Sequence, residues 1–132
     1  MKFQTLMVIK AAVCLALGVP ILLAPDFVYS VFGLSLAAAG AFAAREYGAS
    51  LIGNLMITWY ARNAADSEAR QAIILGLCVY DALGFLATLA AQLSGLLNPL
   101  GWSVVVLYLF FAVGFGYFLV NRPHPVTRAS TA

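Results

Sequence analysis

The sequence predicts an all-α integral membrane protein: an antiparallel bundle of four transmembrane helices, with a short interfacial helix after the first. Three observations predict it. The 132 residues are 64% hydrophobic and only 9% charged, where soluble domains carry about 25% charged residues. A chain this short has too little interior to hide that much apolar side chain from water. The apolar residues also fall into four runs, each near the ~20 residues that cross a bilayer core as a helix. Finally, the basic residues are placed asymmetrically. If the runs alternate in direction, Lys2, Lys10, Arg62, Arg70, Arg122 and Arg128 lie on one side and Arg45 alone on the other. The positive-inside rule then places both termini, and the loop between the second and third helices, in the cytoplasm of a bacterial inner membrane. The same bias argues against a dual-topology dimer, which needs balanced charges. Residues 1–132 form one membrane domain.

The first helix is expected over residues 5–24. Leu23-Ala24-Pro25 is a poor signal-peptidase site and Val13-Cys14 is no lipoprotein box, so this run is expected to be kept as a membrane span. Lys10 is expected to snorkel to the interface, and Pro20 to kink the outer end. Pro25-Asp26 is a break and helix-start signal. Asp26 to Phe32 then reads as an interfacial helix with Phe27, Tyr29 and Phe32 at headgroup level. The second helix is expected over 41–62. A polar loop follows, and Asp66-Ser67-x-x-Arg70 has the pattern of a cap and first turn for a third helix over 68–93. Gly95, Asn98 and Pro99 break the chain before a fourth helix over 100–120. The tail from Asn121, with His124 between Pro123 and Pro125, is expected to fray.

Polar groups inside these runs are the candidate functional residues, because in hydrocarbon they normally face protein or a water-filled cavity. At about 100° per residue, Glu46, Ser50, Gly53, Asn54, Ile57 and Ala61 share one face of the second helix. Leu77, Asp81, Gly84, Thr88 and Ala91 share a face of the third. Asn54 and Asp81 come to similar depths near the midplane and are expected to be neighbours. Asp81 then either binds a proton, a cation or a ligand's amine, or joins helices through a hydrogen bond to Asn54 or Tyr80. Glu46, Asn54, Tyr80, Asp81 and Thr88 are the candidate lining of a ligand cavity. Arg45, with Glu46 beside it, is either an anion or headgroup site or part of an interfacial pair that sets helix depth. Trp59, Tyr60, Arg62 and Trp102 read as interface anchors. Cys14-x-x-x-Gly18 and Ala112-x-x-x-Gly116 read as packing motifs.

Arg45-x-x-Gly48-Ala49-x-x-x-Gly53, Trp59-x-x-Arg62, Glu68-Ala69-Arg70, Ala82-Leu83-Gly84, Ser94-Gly95 and Asn98-x-x-Gly101-Trp102 run through most of the chain, with Leu22-x-x-Pro25 and Phe32-Gly33-Leu34 ahead of them. With these motifs the sequence resembles small four-helix bacterial membrane proteins of the DoxX-like kind. That resemblance implies a four-helix membrane architecture and carries no catalytic residues with it.

Several function classes lose support. The basic residues are scattered, so no nucleic-acid surface is indicated. No His pair, Cys/His cluster or Cys-x-x-Cys pair indicates a metal, haem or thiol-redox centre. No phosphate-binding glycine loop follows a strand. No catalytic site and no cofactor are expected. Three readings remain. The first is an accessory or assembly protein whose partners are membrane lipids and either a larger membrane complex or further copies of itself. The second is a binder of a small lipophilic molecule (a lipid, quinone or sterol-like compound) between the helices. The third is an oligomeric transporter or channel using Asp81. Small multidrug transporters place a key Glu in helix one, where this chain has no acidic residue, and the glycine-rich motifs of fluoride-channel-like proteins are missing.

Overall fold

The computed structural model describes residues 1–121 as an all-α chain of five helices. They are α1 (Phe3–Leu23), α2 (Pro25–Val31), α3 (Ala38–Ala61), α4 (Glu68–Leu93) and α5 (Gly101–Val120). The tail features at Arg122, Pro123, His124, Pro125 and Arg128 lie outside the described residues.

Each boundary has a local cause. Ala24 leaves the helical region at φ −138°, and Pro25 occupies the first turn of α2, where a missing N–H costs nothing. Gly33, at φ +82°, ends α2 in the left-handed conformation that glycine tolerates. The Leu34 amide then bonds back to the Tyr29 carbonyl at 3.0 Å. Ser67 caps α4, its hydroxyl accepting from the Arg70 amide at 3.2 Å. Gly95, at φ +76°, stops α4. Asn98 then clasps the α4–α5 turn to the end of α2: its side-chain amide donates to the Val31 carbonyl at 2.8 Å and its backbone amide to that of Phe32 at 3.0 Å.

Packing is chiefly pairwise and antiparallel, α1 with α3 and α4 with α5, with smaller contacts of α1 to α5 and of α2 to α1 and α3. Glycine sets the first pair. A Cβ on Gly48 would lie 2.6 Å from the Leu22 backbone nitrogen and 3.0 Å from the Gly18 carbonyl oxygen, so the two backbones touch there. In the second pair the Tyr108 ring lies against Gly84, where a Cβ would come within 2.3 Å of Cε1. Two apolar clusters result. One, towards the chain's N-terminal end, joins Phe3, Leu6, Met7, Ala61, Ile74, Leu77, Phe111 and Phe115. The other, between α1 and α3, holds Cys14, Ile21, Ala44 and Leu51. Large apolar side chains including Leu23, Phe27, Leu83, Val106 and Val113 remain on the outside, a surface suited to hydrocarbon rather than water.

The four-span expectation is met in part, and two others need correction. Among the described residues, three helices (α1, α4 and α5) are long and apolar enough to cross a membrane. The 24-residue α3 has the length, but Arg45, Glu46, Ser50, Asn54 and Thr58 keep its hydropathy below theirs. The buried side of α3 is Ala44, Gly48, Leu51, Thr58 and Ala61, so Glu46, Ser50 and Ile57 turn outward. The reason is that the Gly48 approach to α1 fixes the rotation of α3. Ser50 and Thr58, meanwhile, donate to carbonyls of their own helix, those of Glu46 and Asn54, and so need no interior partner. Lys10, expected at the interface, is only 3% exposed, because a carboxylate awaits it inside the bundle.

Candidate functional site

Between the two apolar clusters lies a polar layer contributed by four helices. Its centre is an ion pair from α1 to α4, in which the Lys10 ammonium donates to Asp81 Oδ1. Asp81 is fully buried. The ammonium also lies 4.4 Å from the Phe111 ring centroid, 5.2 Å from that of Tyr80 and 5.9 Å from that of Tyr108, all within cation–π range. Carboxylate and ring faces together replace the water that a lysine loses on burial.

Beside the ion pair, the Tyr47 and Tyr108 hydroxyls hydrogen-bond to each other, joining α3 to α5. The Tyr80 ring leans on Tyr108 with centroids 6.3 Å apart. Among the described residues, neither the buried Tyr80 hydroxyl nor Asp81 Oδ2 has a hydrogen-bond partner. The layer holds three ammonium and three phenolic hydrogens against the acceptor oxygens of one carboxylate and three phenols. Its formal charges cancel.

Two cavities adjoin this layer and share Leu17, Tyr47 and Val104 as walls. The smaller, about 30 Å³, borders Lys10, Cys14, Tyr47 and Tyr108. The larger, about 140 Å³, lies beneath α2 between all five helices. Its walls are apolar except for three hydroxyl-bearing side chains, Tyr29, Tyr47 and Thr88. Burial pushes the Tyr29 phenol up, with a further push from Tyr108, so that hydroxyl keeps its proton and can donate at neutral pH. The Asn98 clasp lies at the α2 end of this chamber, where Phe32, Leu34 and Leu97 close the wall.

The structure brings some of the sequence-derived candidates together and not others. Tyr80 and Asp81 meet in the polar layer, and Thr88 lines the chamber. Asn54 is not a partner of Asp81: its side-chain amide donates to the Ser50 carbonyl of its own helix at 3.2 Å. Arg45 and Glu46 are exposed and line neither cavity. Lys10, Tyr29, Tyr47 and Tyr108 are site residues to which the sequence reading gave another role or none. For Lys10 a signal existed. A lysine inside one apolar run and an aspartate inside another are opposite charges in the same poor solvent. Tyr47 and Tyr108 gave none, since a tyrosine in a span is ordinary, and Tyr29 read as a headgroup-level aromatic. Cys14 and Cys78 are free thiols, and among the described residues no group of three or more His, Cys, Asp and Glu is placed to hold a metal ion.

The larger cavity has a volume of about 140 Å³, and three hydroxyl-bearing side chains line it. No protein-family model, no curated protein and no solved structure matches the chain.

Proposed function

We propose that the chain is a small multi-pass protein of the inner membrane, α3 supplying the fourth crossing, and that it binds one small neutral lipophile in the chamber beneath α2. The observation that carries this reading is the chamber itself. Its volume of about 140 Å³ compares with the ~150 Å³ at which an apolar protein cavity admits benzene. Few polar groups converging on an apolar pocket is the usual make-up of a small-molecule site. Of the three ligand classes considered, a quinone-like ring or a stretch of acyl chain suits this volume better than the fused body of a sterol.

The charge layout adds selectivity. Lys10 already occupies the place beside Asp81 that a ligand's amine or a transported cation would take. This weakens the transporter reading. A ligand with an acceptor oxygen gains a hydrogen bond from Tyr29, Tyr47 or Thr88, and one with a positive charge meets nothing that compensates it.

Native mass spectrometry in mild detergent, with acetophenone, toluene or benzylamine added, tests both parts. One equivalent of acetophenone is expected to bind about tenfold more tightly than toluene, the worth of one hydrogen bond of about 1 kcal/mol or somewhat more, and benzylamine not at all. Val104→Trp, which fills the chamber wall, should abolish uptake while the melting temperature holds. If neither acetophenone nor toluene adds mass, the chamber is not a binding site. Equal uptake of all three would remove the selectivity.

A further inference from the structure

The chamber makes no use of a second polar feature of α3. Arg45 and Glu46 are exposed, and among the described residues neither has an ion-pair partner. Adjacent residues on a helix point about 100° apart, so the two do not satisfy each other. Glu46 lies about 12 Å along α3 from Ala38, and the whole helix is about 36 Å long against a hydrocarbon core of about 30 Å. With the ends shared evenly, Glu46 sits inside the hydrocarbon, beyond the reach of its short side chain to water. A charge at that depth normally faces protein. The direction midway between Arg45 and Glu46 also runs down Phe42, Ala49, Gly53 and Met56, all exposed. A Cβ added at Gly53 would meet nothing within 4 Å. Ala49-x-x-x-Gly53 is a spacing that lets two membrane helices approach closely.

We propose that this face of α3 is the contact of a parallel homodimer in which Arg45 of each copy pairs with Glu46 of the other. The inference rests on α3 crossing the membrane and is independent of what fills the chamber. A two-fold axis along the membrane normal keeps equal residues at equal depth. A side chain to one side of the contact line then meets the residue the same angle to the other side. Arg45 and Glu46 straddle that line, so the dimer makes two Arg45–Glu46 pairs, one on each side of the axis. The small residues below them bring the backbones together, and Phe42 and Met56 flank the seam. A second copy fits this face because the patch is complementary to itself.

Subunit counting by single-molecule photobleaching in lipid vesicles, at rising dilution, tests it. Wild type is expected to dimerise. Glu46→Arg, which removes both symmetry-related pairs, should weaken the dimer at least about tenfold, the worth of two interhelical polar contacts in a membrane. Arg45→Glu combined with Glu46→Arg, which exchanges the charges, should restore wild-type affinity. Gly53→Leu should abolish the dimer while acetophenone uptake and melting temperature remain. A monomeric wild type, a Glu46→Arg variant that dimerises normally, or an exchange variant that stays weak would each overturn the proposal. In particular, a monomer would mean that a different membrane protein covers this face.

Discussion

Lys10 and Asp81 show how cost, rather than sequence distance, decides a contact. They are 71 positions apart in the chain, and each alone would be an unpaired charge in a medium that solvates it poorly. A buried pair of this kind contributes little net stability, while breaking it exposes the full burial penalty. Lys10→Met alone and Asp81→Leu alone should therefore each destabilise by about 3–5 kcal/mol. The double variant should recover most of that loss, because it leaves no orphaned charge. Thermal melts of the four proteins in one detergent supply the cycle, and additive losses would count against the pair. The sequence disclosed Asp81 as the singular residue but not its partner. Lys10 lies near enough to the start of α1 for its stem to reach the interface, so local reasoning favoured snorkelling. Only the placement of α4 beside α1 reverses that choice.

Among the elements, α3 was the hardest to read. Its limits were nearly legible, since Gly33 precedes it and a polar loop follows, although Gly40 falls inside its first turn rather than before it. Its rotation was not. Apolar and small residues surround it on all sides, so periodicity selected the face carrying Glu46, Ser50 and Asn54 no more reliably than the face carrying Ala44, Gly48 and Leu51. Close backbone approach makes the selection, and it is testable. Gly48→Ala should destabilise by roughly 1–3 kcal/mol, because its new methyl meets the Leu22 backbone. Gly76→Ala, whose methyl would meet nothing within 4 Å, should instead stabilise α4 by up to about 1 kcal/mol through helix propensity. Comparable losses in the two variants would mean that the α1–α3 contact at Gly48 is looser than described. The ends of α4 were legible for the opposite reason: Ser67 and Gly95 are local signals that act within one turn.

For the molecule as a whole, composition alone disclosed an all-α chain suited to hydrocarbon. The similar depths of Asn54 and Asp81 suggested that the second and third long helices would face one another. In fact the first pairs with the second (α1 with α3) and the third with the fourth (α4 with α5), and the two pairs meet through the polar layer and the cluster around Phe111 and Phe115. The chamber was not legible, because its walls come from α1, α2, α3, α4, α5 and the loop at Leu34. No single stretch carries a trace of it. The dimer face and the inner-membrane topology rest on one premise: α3 crosses the bilayer although it is the least apolar of the four long helices. Sided thiol labelling tests that premise most directly. In a Cys14→Ala/Cys78→Ala background, single cysteines at Ser35 and Ala65, both exposed loop positions, would be probed with an impermeant maleimide added from one side of the membrane. Four crossings predict that Ser35→Cys is labelled only from the periplasmic side and Ala65→Cys only from the cytoplasmic side. Labelling of both from the same side would contradict the account.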